Sequence, residues 1–240
     1  MATHLRHLIT VAAALIAVAV AAAPAAAETV FTRVEGPDHT VFHNTVVPTT
    51  GTLTDQNGDP HTTSTETVLG ALVTASHRRG FPLDLVWYDL GGGGWTGFFV
   101  NAVDGVAGDS SHFWALKIKH RLAAAGAGAI PARTGVGVLY YYTSFDPITY
   151  QTQHTLGIRT GDRTIAAGGT VAVSITSYDD AGVGEPSAAA RVRVNGRVVA
   201  VTDTAGVATV EFPRAGTFQM RATGPGEIRS RRWTVTVNSA

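Results

Sequence analysis

The stretch HFWALKIKHRLAAAGAG, residues 112–128, places large apolar side chains at every second position before it turns to alanine and glycine. The apolar positions are Trp114, Leu116 and Ile118. A period of two is typical of a strand, because a helix would scatter these side chains around its circumference. We therefore predict a strand with one apolar face packed inward, while Lys117 and Lys119 on the other face stay in water. Residues 119–121 are predicted to form the tip of a hairpin that returns at Leu122.

Three further segments of the first half have the same period. FPLDLVWYDL (81–90) and GWTGFFVNAVDG (94–105) are predicted strands, separated by the glycines at 91–94, which form no stable secondary structure alone. GVGVLYYYT (135–143) is the third predicted strand. One face carries Val136, Val138, Tyr140 and Tyr142, and the other carries Leu139 and Tyr141.

One segment, TETVLGALVTAS at residues 65–76, has the period of an amphipathic helix. Its apolar stripe comprises Val68, Leu69, Leu72, Val73 and Ala75. Thr63 and Glu66 have the spacing of a capping box, which predicts the start of the helix. The cationic residues 77–79 suit the negative C-terminal end of the helix, and Gly80 can adopt the left-handed conformation that ends it.

After residue 153 the sequence changes to short alternating segments with no helical period. These segments are TVAVSITSYDD, AARVRVNGRVVAVTD, GVATVEFP, GTFQMRATG and RRWTVTVN. Asn195-Gly196, between two valine-rich segments, is a strong signal for a two-residue hairpin turn. We therefore expect an α+β module at residues 28–146, in which β-sheets carry one amphipathic helix, then a linker at 147–153. An all-β immunoglobulin-like sandwich is expected at 154–240.

The N-terminus has the features of a secretory signal peptide. Arg6 precedes an apolar run over residues 8–23, and Ala25 to Ala27 satisfy the small-residue cleavage rule. Pro24 stands just before these alanines and argues against an uncleaved membrane anchor. We expect removal of residues 1–27, which leaves a chain that is secreted or held at the cell surface. No later segment approaches the length of a membrane span.

Composition restricts the classes of partner and of stabilising bond. The chain has no Cys, so it forms no disulfide and carries no acylated cysteine. Its 18 basic and 18 acidic residues give no overall field that favours nucleic acid or anionic lipid. Arg outnumbers Lys by 16 to 2, which fits either bidentate recognition of anions or a coding bias.

Three segments resemble, in order, the helix, the central hairpin and the paired late strands of the transcobalamin C-terminal-like domain family. They are TETVLGALVTAS, WTGFFVNAVDGV and FWALKIKHRLAAAGAGAIPARTGVGVLYYYT, within residues 30–145. The family is an extracellular domain of unknown general function, related to the C-terminal β-domains of transcobalamin and intrinsic factor. This chain has residues 119–121 and 135–137 where an Asn-Gly turn and a Gly-Asp pair are usual, so its turn chemistry departs from the family pattern.

The resemblance implies the fold more strongly than the ligand. The vitamin carriers hold cobalamin between this domain and an all-helical barrel, and this sequence has no segment that could supply such a barrel. No cobalamin-contacting residue is therefore carried over. The second half is similar to bacterial immunoglobulin-like repeats that space surface domains away from a cell wall, a pattern too common to imply a function.

The sequence lacks the motifs of the common enzyme classes. It contains no G-x-S-x-G, no H-E-x-x-H, no P-loop lysine after a glycine run and no Cys nucleophile. Ser110, Ser111 and His112 are adjacent, but neighbours in a strand point to opposite faces and do not by themselves indicate a triad. We predict no catalytic residue and no cofactor.

Two acidic segments could contribute ligands to a metal ion. DQNGDPH at residues 55–61 resembles the first half of a calcium loop, yet Asn57-Gly58 also predicts an ordinary tight turn, which we favour. Asp104, Asp109 and His112 are interpreted as loop residues rather than metal ligands. We predict no metal site.

Aromatic side chains are concentrated in the first half of the chain. Consecutive aromatics in a strand face both sides, so a small core cannot hide all of them. The ligand-binding candidates are Tyr88, Trp95, Phe98 and His112. Trp95, which follows four glycines, is the leading one.

Two sets of polar residues are predicted to lie mainly in water. The first set comprises the histidines His39, His43, His61 and His77, which have no paired ligand spacing. The second comprises Arg229, Arg231 and Arg232, interpreted as the solvated face of an edge strand rather than an anion site.

These observations predict an exported, non-catalytic binding protein. Its transcobalamin-like module would present an aromatic surface to an unknown small ligand or to a cell-envelope protein. The alternative is a structural spacer or adhesion element of the cell envelope. Neither a nucleic-acid partner nor a membrane span after signal cleavage is expected.

Overall fold

The computed structural model describes residues 27–49, 51–63, 66–91 and 96–239. The predicted signal peptide, apart from Ala27, and the candidate Trp95 lie outside the described residues. The described chain is mostly β-strand with one α-helix, which confirms the β-rich class with a single helix.

The first half consists of ten strands, the helix and one 3-10 turn in the described residues. They are β1 Val30–Glu35, β2 Thr40–Val46, β3 Gly51–Thr54, β4 Pro60–Thr63, α1 Val68–Arg79, β5 Leu83–Asp89, β6 Thr96–Val103, β7 Val106–Ala107, β8 His112–Ile118, β9 Arg121–Leu122, the 3-10 turn Ala127–Ala129 and β10 Gly137–Ser144. The predicted strands at 81–90, 94–105, 112–118 and 135–143 are all confirmed to within two residues at their ends.

The central sheet of this half has the order β2-β1-β10-β8-β9. β1 runs parallel to β10, and the other neighbours are antiparallel. The tip between β8 and β9 consists of Lys119 and His120, whose φ angles are 49° and 71°. Positive φ at both central residues matches the twist of the flanking strands, so the predicted hairpin is confirmed. Smaller sheets are formed by β3-β4 and by β5-β6-β7.

Helix α1 packs on one face of the central sheet. Trp114, Val138 and Tyr140 belong to the same buried cluster as the helix residues Leu69 and Leu72. The Tyr140 hydroxyl donates to the carbonyl oxygen of Val68 at 3.0 Å, which ties strand β10 to the first turn of the helix. Within the described part of the chain, no helix is long and apolar enough to cross a membrane.

The start of the helix differs from the prediction. Its N-cap is Thr67, whose hydroxyl oxygen accepts from the Gly70 N–H at 3.2 Å, so the predicted capping box of Thr63 and Glu66 is wrong. The backbone explains the difference, because Val68 donates to the carbonyl of Ile130 and thereby holds the entry to the helix extended. At the other end Gly80 has φ 77° and ends the helix as predicted.

The second half consists of nine strands in the described residues. They are β11 Thr155–Thr160, β12 Thr164–Ala166, β13 Gly169–Tyr178, β14 Gly184–Pro186, β15 Arg191–Val194, β16 Arg197–Val201, β17 Val207–Phe212, β18 Gly216–Thr223 and β19 Trp233–Asn238. One sheet joins β11, β14 and β17 to β13, and the other has the order β12-β19-β18-β15-β16. Asn195 and Gly196, with φ 47° and 87°, make the predicted hairpin turn between β15 and β16.

Each half has its own apolar core. The core of the second half takes side chains from both of its sheets, among them Ile158 and Val173 from one and Met220 and Val235 from the other. The core of the first half lies between α1 and the central sheet. The placement of a linker at residues 147–153 stays a prediction.

The second face of the central sheet is covered by the second half of the chain. We call this contact the interface. Its small apolar cluster joins Ala115, Leu139 and Tyr141 of the central sheet to Ile228 of the second half. The central sheet is therefore buried on both faces, with α1 on one side and the second half on the other.

Burial of this face corrects the prediction for Lys117. Its side chain is fully buried rather than solvated, and its Nζ lies 2.9 Å from Asp180 Oδ1 across the interface. Lys119, in the turn, is exposed as predicted. The period of two correctly placed Lys117 on the face of the central sheet that points away from the helix. It could not predict that a second layer of the protein covers this face.

A second ion cluster lies in the interface, around Glu35. Glu35 is fully buried, and its carboxylate lies 2.8 Å from Arg229 Nε, 3.5 Å from Arg221 Nη2 and 3.7 Å from Arg33 Nε. The Arg229 guanidinium also donates to the carbonyl oxygens of Gly36, Asp38 and His39. The prediction that Arg229 lies on the solvated face of an edge strand is therefore wrong, since its side chain is partly buried and pairs with the first half.

The other two residues of that prediction also precede strand β19, which begins at Trp233. Arg231 lies over the Trp233 ring, with its guanidinium carbon 4.8 Å from the ring centre. The Arg232 side chain is exposed, and its backbone N–H donates to His43 Nε2 at 3.0 Å. The segment is thus an interface loop and not an edge strand.

Replacing Lys117 by Met tests the interface. The change leaves the Asp180 carboxylate without its buried cation, and breaking a buried pair in this way destabilises a protein by about 3 kcal/mol or more. We expect a loss of that order in the free energy of unfolding measured by urea denaturation. Lys119→Met, two residues away but exposed, is the control and should change stability by less than about 0.5 kcal/mol. Equal stability of the two variants would contradict the burial of Lys117.

Candidate functional site

A cleft of about 450 Å³ opens at the interface, between the central sheet and strands β11 and β13. It lies within the size range of ligand pockets in proteins. The central sheet contributes Phe31, Arg33, Lys117, Lys119, His120, Gly137, Val138 and Leu139. The second half contributes Leu156, Gly157, Ile158, Arg159, Thr176, Tyr178 and Arg231. We call this site the cleft.

Glycines create the space. A Cβ atom added to Gly137 would meet no atom within 4 Å, so this residue opens directly into free volume. Gly157 and Gly184 instead flank the ring of Tyr178, where an added Cβ would lie 2.8 and 2.7 Å from ring carbons. The Tyr178 ring is held in this slot and stacks on the His120 ring with centroids 4.0 Å apart. One wall of the cleft is therefore a fixed aromatic surface.

The charged residues that line the cleft are all cationic. They are Arg33, Lys117, Lys119, Arg159 and Arg231. Lys117 is neutralised by Asp180 and Arg33 lies near Glu35, whereas Lys119, Arg159 and Arg231 are exposed and form no salt bridge with any described residue. The chain as a whole has equal numbers of basic and acidic residues, so the cleft concentrates positive charge locally.

Burial affects the two cations at the base of the cleft. Desolvation lowers the pKa of Arg33 to about 10, opposed by Glu35, and Arg33 remains charged at neutral pH. Desolvation also lowers the pKa of Lys117, while Asp180 acts in the opposite direction. Lys117 Nζ lies 3.3 Å from the Asp179 carbonyl oxygen as well as 2.9 Å from the Asp180 carboxylate. Its donors are satisfied within the fold, which makes it a structural cation rather than a free nucleophile.

Two histidines at the interface are held in the neutral form. Desolvation lowers the pKa of His120 to about 4, and nearby Arg33 and Lys117 act in the same direction. Desolvation and Arg33 likewise lower the pKa of His43 to about 4. The prediction of a solvated His43 is wrong, because its ring packs edge-on against Phe31 and accepts from the Arg232 N–H.

The other three histidines that were predicted to be solvated differ in their exposure. His61 stacks on Trp87 with ring centroids 3.8 Å apart and lies 2.9 Å from Asp55 Oδ2, so its predicted solvation is wrong. His77 is exposed as predicted. His39 is also exposed, although its Nε2 lies 3.0 Å from Asp104 Oδ2.

The sequence candidates Tyr88, Phe98 and His112 are not brought together. Phe98 is only 3% exposed, because it packs against Trp87 and His61 in the core of the first half. Tyr88 follows Trp87 in strand β5, so it lies on the opposite face of that sheet, where it is 45% exposed beside Phe99. A ligand on this surface would therefore meet Tyr88 and not Phe98.

His112 belongs to a different depression of about 340 Å³ at the edge of the interface. Its ring stacks on Tyr142 with centroids 5.5 Å apart, and its Nδ1 lies 3.3 Å from Asp109 Oδ1. Asp109 also accepts from the backbone N–H of Ser111 and of His112, which lowers its pKa. The Asp109 carboxylate thus binds backbone and side-chain groups of its own loop.

The segment at residues 55–61 is the predicted turn. Asp55 Oδ1 accepts from the backbone N–H of Asn57 and of Asp59, and Gly58 has φ 88°. Asp104 and Gly105, both with positive φ, likewise form the turn between β6 and β7. Among the described residues, no group of three or more histidines or carboxylates is placed to hold a metal ion.

No protein-family model matches the chain, and no curated protein matches it either. The resemblance to the transcobalamin C-terminal-like domain family therefore stays a prediction.

Sequence reasoning missed the cleft because its walls come from several segments that are separate in the sequence, from Phe31 to Arg231. The excess of Arg over Lys was the one signal that pointed to it, and it was also compatible with coding bias. Arg33, Arg159 and Arg231 each stand in alternating segments that read as ordinary strand faces. Only the docking of the two halves places them around one volume.

The neutral histidines predict how stability depends on pH. Histidine in an unfolded chain has a pKa near 6.5, whereas the pKa values of His43 and His120 in the folded protein are about 4. Between these two pH values the unfolded chain therefore binds more protons than the folded protein does. Stability should therefore fall as the pH is lowered from about 6.5 to about 4. We expect His43→Gln and His120→Gln each to reduce the fall in Tm over this window, measured by scanning calorimetry. His77→Gln, an exposed histidine, is the control, and an identical fall in all three variants would contradict the assignment.

Proposed function

We propose that the chain is an exported, non-catalytic binding protein that holds a small organic anion in the cleft. The single observation that carries this proposal is a preformed cavity that combines three unpaired exposed cations with an apolar and aromatic wall. Cations at the opening suit a carboxylate, sulfonate or phosphate group, and the wall formed by Phe31, Leu156 and Tyr178 suits an apolar or aromatic body. Acid–base or nucleophilic chemistry is not proposed, because the polar groups at the base of the cleft are engaged in structural pairs.

The two halves support the proposed domain identities. In the second half, the order β12-β19-β18-β15-β16 with β12 parallel to β19, facing a sheet of β11, β13 and β17, supports the proposal of an immunoglobulin-like sandwich. In the first half, the presence of one helix, the β5-β6 hairpin and the paired β8 and β10 strands supports the proposed likeness to the transcobalamin C-terminal-like family. Export is supported by the apolar segment at residues 8–23 and the alanines that follow it.

A structural spacer is the second candidate function. The observation that favours it is the rigid connection between the halves, which is made by the buried pairs of Glu35 with Arg229 and of Lys117 with Asp180. A spacer of the cell envelope needs a fixed distance between its ends, and it needs no ligand. Binding in the cleft therefore distinguishes the two functions. A partner protein would instead meet the exposed Tyr88 and Phe99 of the β5-β6 sheet.

The proposal is tested with two fluorescent probes that differ only in an anionic group. They are 8-anilinonaphthalene-1-sulfonate and its neutral analogue N-phenyl-1-naphthylamine. We expect the sulfonate to bind at one site per chain and the neutral probe to bind at least about tenfold more weakly, because it makes no charge-assisted contact. Arg159→Gln should weaken the binding of the sulfonate probe by a similar factor.

Gly137→Leu is the blocking variant. Gly137 has no positive φ and its Cβ position is empty, so the leucine side chain fills the cleft without backbone strain. We expect the variant to keep the wild-type Tm and to lose sulfonate binding. Gly161→Leu, at an exposed glycine with equal space outside the cleft, is the control. Equal binding of both probes, or sulfonate binding that survives Gly137→Leu, would exclude the cleft and leave the spacer as the better account.

A further inference from the structure

A second concave surface lies on the interface and is lined by other residues than the cleft. This groove has a volume of about 640 Å³, and we call it the Arg groove. The first half contributes Asp38, His39 and Thr40 from the connection between β1 and β2. The second half contributes Arg193, Asn195, Gly196, Gln219, Met220, Arg221, Thr223, Arg229 and Arg232. It shares no lining residue with the cleft.

Positive charge exceeds negative charge in and below the Arg groove. The groove is lined by four arginines and one carboxylate, that of Asp38. Beneath it, the buried Glu35 is shared by Arg33, Arg221 and Arg229, so the cluster has two more cations than anions. Desolvation lowers the pKa of Arg221, Glu35 opposes this shift, and neighbouring Arg232 and Arg229 lower the pKa further. A bound anion would relieve this repulsion.

Arg221 also has hydrogen-bond donors that the protein does not satisfy. Its Nε and Nη2 atoms are buried and have no hydrogen-bond partner, and Nη2 lies 3.5 Å from Glu35 Oε1, which is also buried and has no hydrogen-bond partner. A buried donor without a partner costs about 1–3 kcal/mol, more when it is charged. Most such groups in folded proteins are paired, so the Arg221 guanidinium is an incompletely satisfied cation in the wall of the groove.

The other arginines of the groove differ in their availability. Arg229 is committed to the fold, because its guanidinium donates to Glu35 and to three backbone carbonyls. Arg193 donates from Nε and Nη1 to Thr223 and Gly196, and its Nη2 forms no hydrogen bond with the described residues. Arg232 is exposed, and its side chain forms no hydrogen bond or salt bridge within the described residues. Arg193, Arg221 and Arg232 are therefore the side chains able to meet a ligand.

We infer that the Arg groove binds a tetrahedral oxyanion, as inorganic phosphate or sulfate or as the corresponding ester group of a larger molecule. The planar fork of a guanidinium matches the oxygens of such groups in pairs, and three arginines supply both the charge and the donors. Because Arg221 and Arg229 lie against Glu35 of the first half, a bound anion would offset the excess positive charge at the interface. Its binding should stabilise the docked arrangement of the two halves.

The test is a titration of the full chain with sodium phosphate and with sodium sulfate at pH 7, against sodium chloride at equal ionic strength. We expect the two oxyanions to raise Tm in a saturable manner and chloride to leave it unchanged. Glucose 6-phosphate is titrated in parallel. If glucose 6-phosphate raises Tm as phosphate does, the site accepts phosphate esters. If only the inorganic ions raise Tm, the site binds the free anions.

The variants locate the site. Arg193→Gln and Arg232→Gln should each raise the Kd for phosphate by about tenfold, which is the change expected from the loss of one charge-assisted hydrogen bond. Arg214→Gln, an exposed arginine outside the groove, is the control and should bind as the wild type does. Gly137→Leu, which fills the cleft, should leave the phosphate response unchanged and so separates this site from the proposed function.

Arg221→Met gives the sharpest result. If Arg221 served only to stabilise Glu35, its removal would lower Tm in the absence of phosphate. The inference predicts instead that Tm without phosphate is unchanged or higher, because an unsatisfied buried cation is removed, and that the phosphate response is lost. A phosphate response indistinguishable from that of chloride, or one that survives Arg221→Met and Arg193→Gln, would overturn the inference.

Discussion

The buried carboxylate of Glu35 holds the two halves of this chain in one arrangement. It lies on the last residue of β1, at the edge of a sheet face that would otherwise be in water, and it receives Arg229 from a loop that is distant in sequence. A carboxylate removed from water is strongly unfavourable unless its partners are in place. Arg229 also satisfies three carbonyl oxygens of the connection that follows β1, so one guanidinium closes this end of the interface. Lys117 and Asp180 form a further ion pair across the interface.

This constraint explains why both concave surfaces lie where they do. An interface built from charged side chains and small apolar clusters cannot pack as tightly as an apolar core, and free volume remains beside each ion pair. Gly137 enlarges that volume on the side of Lys117, and the unsatisfied guanidinium of Arg221 borders it on the side of Glu35. The cleft and the Arg groove differ in character as a result, since the first has an aromatic wall formed by Tyr178 and the second is mainly polar.

Much of the fold, but little of the site, could be predicted from the sequence. A period of two located β8 and β10 and assigned their side chains to the correct faces, because that period is a local property of extended chain. The same pattern failed for Lys117, whose burial depends on a layer contributed by residues more than sixty positions away. Thr67 replaced the expected cap because backbone pairing with the segment near Ile130 fixed the entry to the helix, which again is tertiary information. Of the aromatic candidates, Phe98 is buried and Tyr88 is exposed, because the two side chains lie on opposite faces of one hairpin.

A double-mutant cycle on Glu35 and Arg229 tests most directly whether the interface depends on this pair. The free energy of unfolding is measured for the wild type, Glu35→Gln, Arg229→Met and the double variant. The account predicts a coupling energy of about 2 kcal/mol or more, because each single change leaves a buried charge without its partner while the double change removes both. Additive effects, with a coupling below about 0.5 kcal/mol, would contradict it and would mean that the two halves fold without this contact.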